Sequence, residues 1–517
     1  MALDAQDRTA GRLAGTRHPS IYEINTWPWL AGLSARHDRP VDLANVPAEV
    51  WDDIAGLGFD AVWLMGVWER SPAGITIARS DASLMASFRA ALGDLVDADI
   101  IGSPYCIRDY RVDLHLGGRD GLATARARLA ERGVGLVLDF VPNHVAPDHP
   151  WTATHPERFV RGTDADVAAD PTSFTRLGTH GDDHAHIVAR GRDPYFPAWP
   201  DVVQLNAFSP DLRAAVVDTL ADIADQCDGV RCDMAMLVRN EVFARTWGHL
   251  VGAAPDEEYW TEVIGEVRRR YPGFWFIAEA YWDMEWDLQQ LGFDHCYDKR
   301  LYDRLVAAEP AESIRLHLCA DGDYQDGLVR FVENHDEPRA ASALAPERLR
   351  AATVTTLTQR GARLVHDGQL SGRRVHLPVF LGRFPDEEPD PDLEAFHRAL
   401  LAAIADRTFH DGTWRLCERE GWGEGGDDTW TDLVAWSWDG ATRWVVIVNL
   451  AATGATGRVR FPWDDLRARP WRLVDPTSGD VLRRAGDDLV DGVYVSLEPW
   501  AWHLWRVEPD PEPEAAT

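Results

Sequence analysis

The sequence has little that could bind an anionic partner. Among its 517 residues only Lys299 is a lysine, and the formal net charge at pH 7 is −32. A chain this acidic repels phosphate backbones and anionic lipid head groups unless a basic run overcomes the charge locally, and the sequence has no such run. Nucleic acid and membrane surfaces are therefore excluded as predicted partners, and a neutral substrate is favoured.

Long apolar runs are also absent, and none approaches the roughly 20 residues of a membrane-spanning helix. Residues Met1 to Arg8 do not combine a basic start with an apolar segment, so no secretory signal is predicted and a cytoplasmic location is the default expectation. Without a CxxC pair, neither a zinc knuckle nor a disulfide framework is expected. We expect buried free thiols at the six cysteines, which are Cys106, Cys227, Cys232, Cys296, Cys319 and Cys417.

Tryptophan, in contrast, is abundant, with 23 residues. Most of these side chains should pack in cores and between domains, but aromatic faces are also surfaces on which sugar rings stack. The excess therefore favours a carbohydrate ligand. The length of the chain allows two or three domains.

Short apolar segments alternate with helical patterns over most of the chain, as parallel strands connected by helices do. Their nearly continuous apolar character indicates strands that are buried on both faces. Eight such units predict an α/β fold, a closed (β/α)8 barrel of the TIM type. The segments are 20–25, 59–65, 135–140, 229–236, 274–279, 292–297, 328–332 and 363–366.

Two insertions interrupt the alternation, a polar helical stretch at about 71–102 and a loop-rich segment at 145–206. Because long loops after barrel strands lie on the catalytic face, the second insertion is predicted to wall the site. After residue 410, short β segments separated by Gly and Asp turns predict a sandwich. The predicted division is a barrel at 1–144 and 207–410, an inserted subdomain at 145–206, a β-sandwich at 411–508 and a disordered acidic tail at 509–517.

Polar side chains follow the predicted strands at the points where they end. The carboxyl ends of parallel barrel strands share one mouth, so these side chains are expected to converge there. The strand ends carry five acids, two histidines and an arginine within these stretches: Asp139 with Asn143 and His144, Arg231 with Asp233, Glu279, and Glu333-Asn334-His335-Asp336.

In order, spacing and residue types, these stretches resemble the four ordered sequence regions of the α-amylase family of glycoside hydrolases. The resemblance implies that Asp233 is the nucleophile, Glu279 the general acid/base and Asp336 the carboxylate that stabilises the cationic transition state. It also implies contacts with the sugar. The residues in question are Tyr105, as an aromatic platform, and His144, Arg231, His335 and Arg339.

The physical requirements of such a reaction agree with these assignments. A retaining mechanism needs one ionised and one protonated carboxyl group about 5 to 5.5 Å apart. Arg231, two residues before Asp233, is expected to favour the ionised form of that carboxylate. Glu279 lies among aromatic residues in the sequence, and desolvation with acidic neighbours is expected to raise its pKa.

The sequence also departs from the family pattern. Exo-acting α-glucosidases of the family carry Asp three residues before the platform tyrosine, where this chain has Gly102. Only one calcium ligand, Asn143, can be proposed, whereas calcium takes six to eight oxygen atoms, so no essential metal or other cofactor is predicted. After the eighth strand, His366-Asp367-Gly368-Gln369 replaces the usual aromatic-Gly-x-Glu.

Three interpretations remain at this stage. The first is a retaining hydrolase of α-glucosidic bonds in an α-glucan, a maltooligosaccharide or a small α-glucoside. The second is a transglycosidase or phosphorylase, which passes the same covalent intermediate to a sugar or to phosphate. The third is a non-catalytic carbohydrate-binding relative, which the presence of all three acids disfavours. The sugar, its linkage, endo or exo action and the oligomeric state are left open.

Overall fold

The computed structural model describes residues 16–178, 186–422 and 428–511. Eight parallel strands form a closed barrel, in which β1 pairs with both β2 and β8. This confirms the predicted fold, with strand ends shifted by up to four residues. The strands are β1 Ser20–Asn25, β2 Ala61–Met65, β3 Gly135–Phe140, β4 Gly229–Cys232, β5 Trp275–Ala278, β6 His295–Tyr297, β7 Leu328–Arg330 and β8 Ala362–His366.

Every residue of the eight strands is buried, which explains why the sequence segments are almost continuously apolar. Alternate side chains of each strand point into the barrel, where Trp63, Tyr297 and Phe331 belong to one apolar cluster. The opposite side chains, such as Val62 and Leu138, join the larger cluster under the surrounding helices. The interior is therefore a packed core, and only the strand ends are available for chemistry.

The helices lie in the connections between the strands. Before β5 they are Thr26–Arg36, Ala48–Gly56, Pro72–Ser80, Ala82–Ala91, Gly118–Glu131, Trp151–Thr154, Asp164–Ala169, Pro210–Ala224, Asn240–Val251 and Tyr259–Arg270. After β5 they are Glu285–Gln290, Lys299–Ala307, Ala311–Leu318, Gly322–Asp326, Ala340–Ala343, Pro346–Leu357, Pro391–Ile404 and Thr408–Asp411, with Gly486–Gly492 in the C-terminal domain.

Both predicted insertions have the expected character. The first contains two of the helices above, and Ser71 caps the earlier one by accepting a hydrogen bond from the backbone N–H of Gly74. The second contains two short antiparallel pairs, His144–Val145 with Val203–Gln204 and Phe174–Leu177 with His186–Ala189.

The C-terminal domain consists of two antiparallel sheets. A six-stranded sheet has the order β9-β11-β12-β17-β14-β15 and a three-stranded sheet the order β10-β13-β16. The sequence after residue 410 indicates β segments at 432–438, 443–450, 457–461 and 493–507, which correspond to β11, β12, β13 and, for the last run, β16 with β17. The strands are β9 Thr413–Leu416, β10 Glu418–Glu420, β11 Leu433–Asp439, β12 Arg443–Asn449, β13 Ala455–Arg460, β14 Pro470–Val474, β15 Val481–Ala485, β16 Val493–Leu497 and β17 Trp502–Pro509.

The strand β11 joins the two domains. Its residues Leu433 and Ala435 face the core of the sandwich, while Trp436 and Trp438 belong to the large barrel cluster. Both indole N–H groups donate to the backbone carbonyl oxygen of Thr358, over 3.1 and 2.8 Å. Thr358 ends the helix that leads into β8, so the sandwich is fastened directly to the barrel.

Three further predictions concern the cysteines, the C-terminal tail and membrane-spanning helices. The six cysteines are free, but Cys319 is exposed, so the expectation of burial is wrong at that position, which follows the short helix Ala311–Leu318. The last strand reaches Pro509, and residues 512–517 of the predicted tail lie outside the described residues, as do residues 1–15. In the described parts of the chain, no helix is long and apolar enough to cross a membrane.

Candidate active site

The centre of the site is Arg231, which lies in β4 opposite Asp139 of β3 and Ile277 of β5. Its guanidinium is almost completely buried and bridges two acids. Nη1 donates to Asp233 Oδ1 over 2.8 Å, and Nη2 lies 2.9 Å from Glu279 Oε2. A third carboxylate, that of Asp336, is 3.7 Å from Nη2. The three acids predicted from the sequence therefore converge on one cation.

Three aromatic rings enclose the Arg231 cation. The guanidinium carbon lies 5.3 Å from the ring centre of Trp63, 5.2 Å from that of Tyr105 and 5.6 Å from that of Tyr297. Tyr297 also accepts a hydrogen bond from Nε over 3.3 Å. Negative ring faces stabilise a cation that has lost its water, so the guanidinium is fixed in place without solvent.

Backbone hydrogen bonds place the two bridged acids. The N–H of Asp233 donates to the carbonyl oxygen of Phe140, and the N–H of Glu279 donates to that of Cys232. Met234, directly after Asp233, has a left-handed backbone with φ of 42°. Its N–H donates to Glu279 Oε2 over 2.6 Å. A residue without glycine's freedom holds this conformation at a cost, which is typical of functional sites.

Glu279 has the environment of a proton donor. Burial raises its pKa to about 8, with the charges of Asp233 and Asp336 adding to the effect of burial against the opposing charge of Arg231. The hydroxyl of Tyr281 donates to Glu279 Oε1 over 3.1 Å. This direction favours the protonated form of the Glu279 carboxyl at neutral pH, the form that a proton donor needs.

Asp336 has the opposite character. Burial opposes its ionisation, but His335, together with Arg231 and His376, holds its pKa at about 2. His335 Nε2 lies 3.0 Å from Asp336 Oδ2. The side chain is 40% exposed, so it faces the mouth of the barrel and is the most accessible of the three acids.

His335 contacts a second acid that the sequence did not indicate. Its Nδ1 lies 2.5 Å from Oε1 of Glu23, a residue of β1 with no exposed surface. Burial disfavours the imidazolium, but the charges of Asp336 and Glu23 outweigh burial and raise the pKa of His335 to about 10. A pKa this high favours the protonated form of the ring, which lies between the two carboxylates.

Two further predicted residues take part in this cluster. The Tyr105 hydroxyl is 2.7 Å from His335 Nε2, and the two rings stack with centres 5.4 Å apart. Asp139, the acid of the third strand, accepts a hydrogen bond from the N–H of Gly66 over 2.8 Å. Burial raises the pKa of Asp139 to about 6 against the opposing charge of Arg231.

His144 lies on the side of the second insertion. Burial lowers the pKa of His144, so its ring is neutral at pH 7. The ring centre is 5.2 Å from that of Trp199 in the insertion. Tyr195, also in the insertion, contacts Trp282 of the loop after Glu279, with ring centres 4.9 Å apart. These contacts place the insertion against the loop that carries Glu279.

Arg339 lies apart from the three acids. It is almost completely buried and pairs with Glu333, whose Oε1 is 2.6 Å from Nη1. The same nitrogen donates to the backbone carbonyl oxygen of Asp367 over 2.8 Å. These contacts fix the loops after β7 and β8, and the substrate contact predicted for Arg339 stays a prediction.

Gly102 cannot be replaced by a carboxylate without rearrangement. Its φ is +86°, which disfavours any side chain, and an added Cβ would lie 2.8 Å from Cγ1 of Ile75. The carbonyl oxygen of Gly102 also accepts a hydrogen bond from Arg70 Nη1 over 2.5 Å. Ile75 of the first insertion thus occupies the space that a side chain at position 102 would enter.

Asn143, the calcium ligand that the sequence suggested, makes a contact within the protein. Asn143 Oδ1, the one oxygen that the sequence suggested as a ligand, accepts a hydrogen bond from Gln204 Nε2 over 2.8 Å. Among residues 16–178, 186–422 and 428–511, no group of three or more His, Cys, Asp and Glu side chains could hold a metal ion. Calcium takes six to eight oxygen ligands, and the absence of an essential metal stays a prediction.

The residues that sequence reasoning missed share one property. Glu23, Trp63 and Tyr297 sit within apolar barrel strands instead of after them, where the search for acids was directed. A signal did exist for Glu23, since a lone acid inside a buried strand is costly unless it is paired. For Trp63 and Tyr297 the residue type alone indicates only core packing.

Comparison with known proteins agrees with this geometry. The family described as alpha amylase, catalytic domain, matches residues 48–377. An alpha-amylase, MalA, from Haloarcula japonica is 27% identical over 54% of this chain and 37% of its own length. An alpha-1,4-glucan:maltose-1-phosphate maltosyltransferase from Rhodospirillum rubrum is 26% identical over 52% of this chain and 35% of its own length. The matches thus span little more than a third of these relatives.

Solved structures with the same fold cover nearly the whole chain. A noncanonic maltogenic alpha-amylase, AmyB, from Thermotoga neapolitana superimposes with a TM-score of 0.67 over 96% of this chain and 99% of its own, at 19% identity. An alpha-amylase from Geobacillus thermoleovorans, solved with acarbose, gives 0.65 over 96% and 99%, at 17% identity. At such identities the likeness concerns the fold, including the C-terminal domain.

Proposed function

The chain belongs to the α-amylase family, and we propose that it is a retaining glycosidase that cleaves α-glucosidic bonds through a covalent glycosyl-Asp233 intermediate. Its substrate is an α-glucan, a maltooligosaccharide or a small α-glucoside. The observation that carries the proposal is the Arg231 bridge, which holds Asp233 beside Glu279 while Glu279 stays protonated. Two carboxyl groups with different protonation states are what a retaining mechanism requires.

In the first step Asp233 attacks the anomeric carbon while Glu279 donates its proton to the leaving oxygen, so the glycosidic bond breaks as the glycosyl-Asp233 bond forms. Glu279 is then ionised and removes a proton from the incoming water, whose oxygen displaces Asp233. Arg231, which contacts both carboxylates, stabilises the charge that moves between them.

The remaining cluster supports the transition state. Asp336, whose pKa is about 2, is ionised and faces the mouth. Its carboxylate accepts hydrogen bonds from sugar hydroxyls and balances the positive charge of the oxocarbenium-like carbon. Tyr105 and His335 lie beside it, with the Tyr105 ring as the platform on which the reacting sugar stacks.

Azide rescue tests the assignment. The Asp233→Ala variant is expected to be inactive on a nitrophenyl α-glucoside and, with added azide, to release the β-glucosyl azide. The Glu279→Ala variant should release the α-glucosyl azide, because azide then attacks the covalent intermediate. Nuclear magnetic resonance identifies the anomer in each case. Asp256→Ala, at an exposed position, is the matched control and should behave as wild type; azide products of the same anomer from both variants would contradict the assignment.

Transfer to an acceptor other than water is the second candidate, since several relatives are maltosyltransferases by name. The same intermediate serves both outcomes. Product chromatography with maltose alone, with added maltooligosaccharide and with added phosphate distinguishes them. Glucose as the sole product under all three conditions would exclude transfer.

We also propose that the protein acts in the cytoplasm on a neutral sugar, without nucleic acid and without an essential metal. The acidic composition and the occupied oxygen of Asn143 support this. Activity that survives dialysis against EDTA is the expected result. Loss of activity that calcium restores would overturn the metal part of the proposal.

A further inference from the structure

Glu23 is the buried charge that the proposed reaction leaves unexplained. It has no exposed surface, and its Oε2 has no hydrogen-bond partner. Its Oε1 takes two contacts from one residue, the backbone N–H of His335 over 3.3 Å and the Nδ1 of the same residue at 2.5 Å. A charge this deep persists only beside a partner of opposite sign, and His335 is the partner that it contacts.

The opposite nitrogen of His335 faces the site. Nε2 lies 3.0 Å from Asp336 Oδ2 and 2.7 Å from the Tyr105 hydroxyl. Asp336 in turn lies 3.7 Å from Arg231 Nη2. From β1 to β4 the side chains therefore alternate in charge: Glu23 negative, His335 positive, Asp336 negative and Arg231 positive.

We propose that Glu23 is a positioning residue for the reaction, which holds His335 as a doubly protonated ring with its Nε2–H directed at Asp336 and Tyr105. The effect of Glu23 on activity rests on the proposed function. An Asp336 carboxylate that His335 orients and balances in charge matters only if Asp336 assists bond cleavage. The sequence region that carries His335 and Asp336 does not include Glu23, which comes from the first strand of the barrel.

Other charged groups also face His335. The contribution of the Glu23 carboxylate to the charge of the His335 ring can therefore be measured separately from theirs. Asp336 and Glu23 both favour the imidazolium, while burial opposes it. The neighbours that bear charge or can titrate are Glu23 on β1, Asp139 on β3, Arg231 on β4, Asp336 on the loop after β7, Tyr105 on the loop before β3, and His376, whose Nε2 is 2.8 Å from the backbone oxygen of His335. Removing the Glu23 charge leaves the other groups in place.

The test is the titration of the His335 ring in protein with 15N-labelled histidine, with the signal assigned by its loss in His335→Gln. In the wild type both ring nitrogens should remain protonated at pH 7.5. In Glu23→Gln, which keeps the shape and an acceptor oxygen, the pKa should fall toward the ordinary histidine value of about 6.5. A neutral ring at pH 7.5 in the wild type would overturn the proposal even if the variant did not fold.

Kinetics give the second readout. With a nitrophenyl α-glucoside, the ratio of kcat/KM between wild type and Glu23→Gln should be small at pH 5.5 and about tenfold or more at pH 8, where a ring of ordinary pKa is largely neutral. In a His335→Gln background, Glu23→Gln should cause no further loss. A ratio that is independent of pH, or equal losses in both backgrounds, would mean that Glu23 is merely structural.

Tyr22→Phe is the matched control. It removes a partly buried hydrogen bond from the same strand, that of the Tyr22 hydroxyl to Asp367 Oδ1, and leaves His335 unchanged. It should leave the ring titration unchanged. If the ring behaves as proposed but no α-glucoside is cleaved, the proposed function fails and the role of Glu23 in charging His335 stands; cleavage with a neutral wild-type ring gives the reverse result.

Discussion

The mouth of the barrel and the core of the C-terminal sandwich differ in how their buried polar groups are paired. In the described part of the sandwich the buried polar residues are Ser437, Asn449 and Asp475. The amide of Asn449 donates to three backbone oxygens, and Asp475 Oδ1 accepts from the turn that follows it. These polar groups serve the fold itself.

At the mouth, buried groups keep polar atoms without protein partners, among them Asp139 Oδ1 and Glu23 Oε2. Burial, together with the charges of Asp233 and Asp336, raises the pKa of Glu279, while His335 keeps the pKa of Asp336 low. Such an arrangement is costly for stability and useful for catalysis. The sandwich core is therefore stabilised by packing and satisfied hydrogen bonds, whereas the mouth keeps charged groups that a substrate can contact.

The largest effect should come from removing the proton donor. Glu279→Gln is expected to lower kcat/KM on maltooligosaccharides by about 10³-fold or more, since the leaving oxygen then departs without a proton. On an α-glucosyl fluoride, whose leaving group needs no proton, formation of the intermediate should be much less affected. The midpoint temperature of thermal unfolding should not fall, because a neutral amide replaces a buried neutral carboxyl. An equal loss on both substrates would contradict the role of Glu279.

A smaller effect distinguishes the mouth by its response to pH. The acid form of Glu279 is required for the first step, so kcat/KM should fall as pH rises through its pKa of about 8. Asp336 stays ionised down to about pH 2 and should not limit activity above that pH. A pH profile of kcat/KM checks this, and in Glu279→Gln, assayed with the fluoride, the alkaline limb should disappear. An alkaline limb near pH 5 would show that Glu279 is ionised in the free enzyme.

The smallest effect on catalysis should come from the sandwich core. Leu473 is fully buried on β14, and Leu473→Ala is expected to lower the free energy of unfolding by about 2–5 kcal/mol. Urea unfolding measures this, with Val481→Ala as control, because Val481 is exposed on the adjacent strand β15. The profile of kcat/KM against pH should match that of the wild type in both variants. A shifted profile would break the contrast between the two regions.

The barrel was predictable because parallel strands buried on both faces leave a strong apolar signal, and their ends place Asp139, Asp233 and Glu279 in one mouth. The strands β14 and β15, of which β15 lies at the edge of its sheet, escaped prediction, since residues such as Arg472 and Arg483 on them are polar and not buried. The protonation states rest on three-dimensional neighbours. No local pattern around His335 indicates that Glu23, more than 300 positions earlier, faces its Nδ1.

The two indole groups that meet at Thr358 bear on any attempt to divide this protein. A cut near residue 411, where the sequence pattern changes, would strip the partners from a carbonyl oxygen at the end of the helix before β8. It would also uncover the apolar surface against which Trp436 and Trp438 pack. A truncated barrel should therefore be recovered in inclusion bodies, because the boundary between the domains in the sequence is not a boundary between folding units.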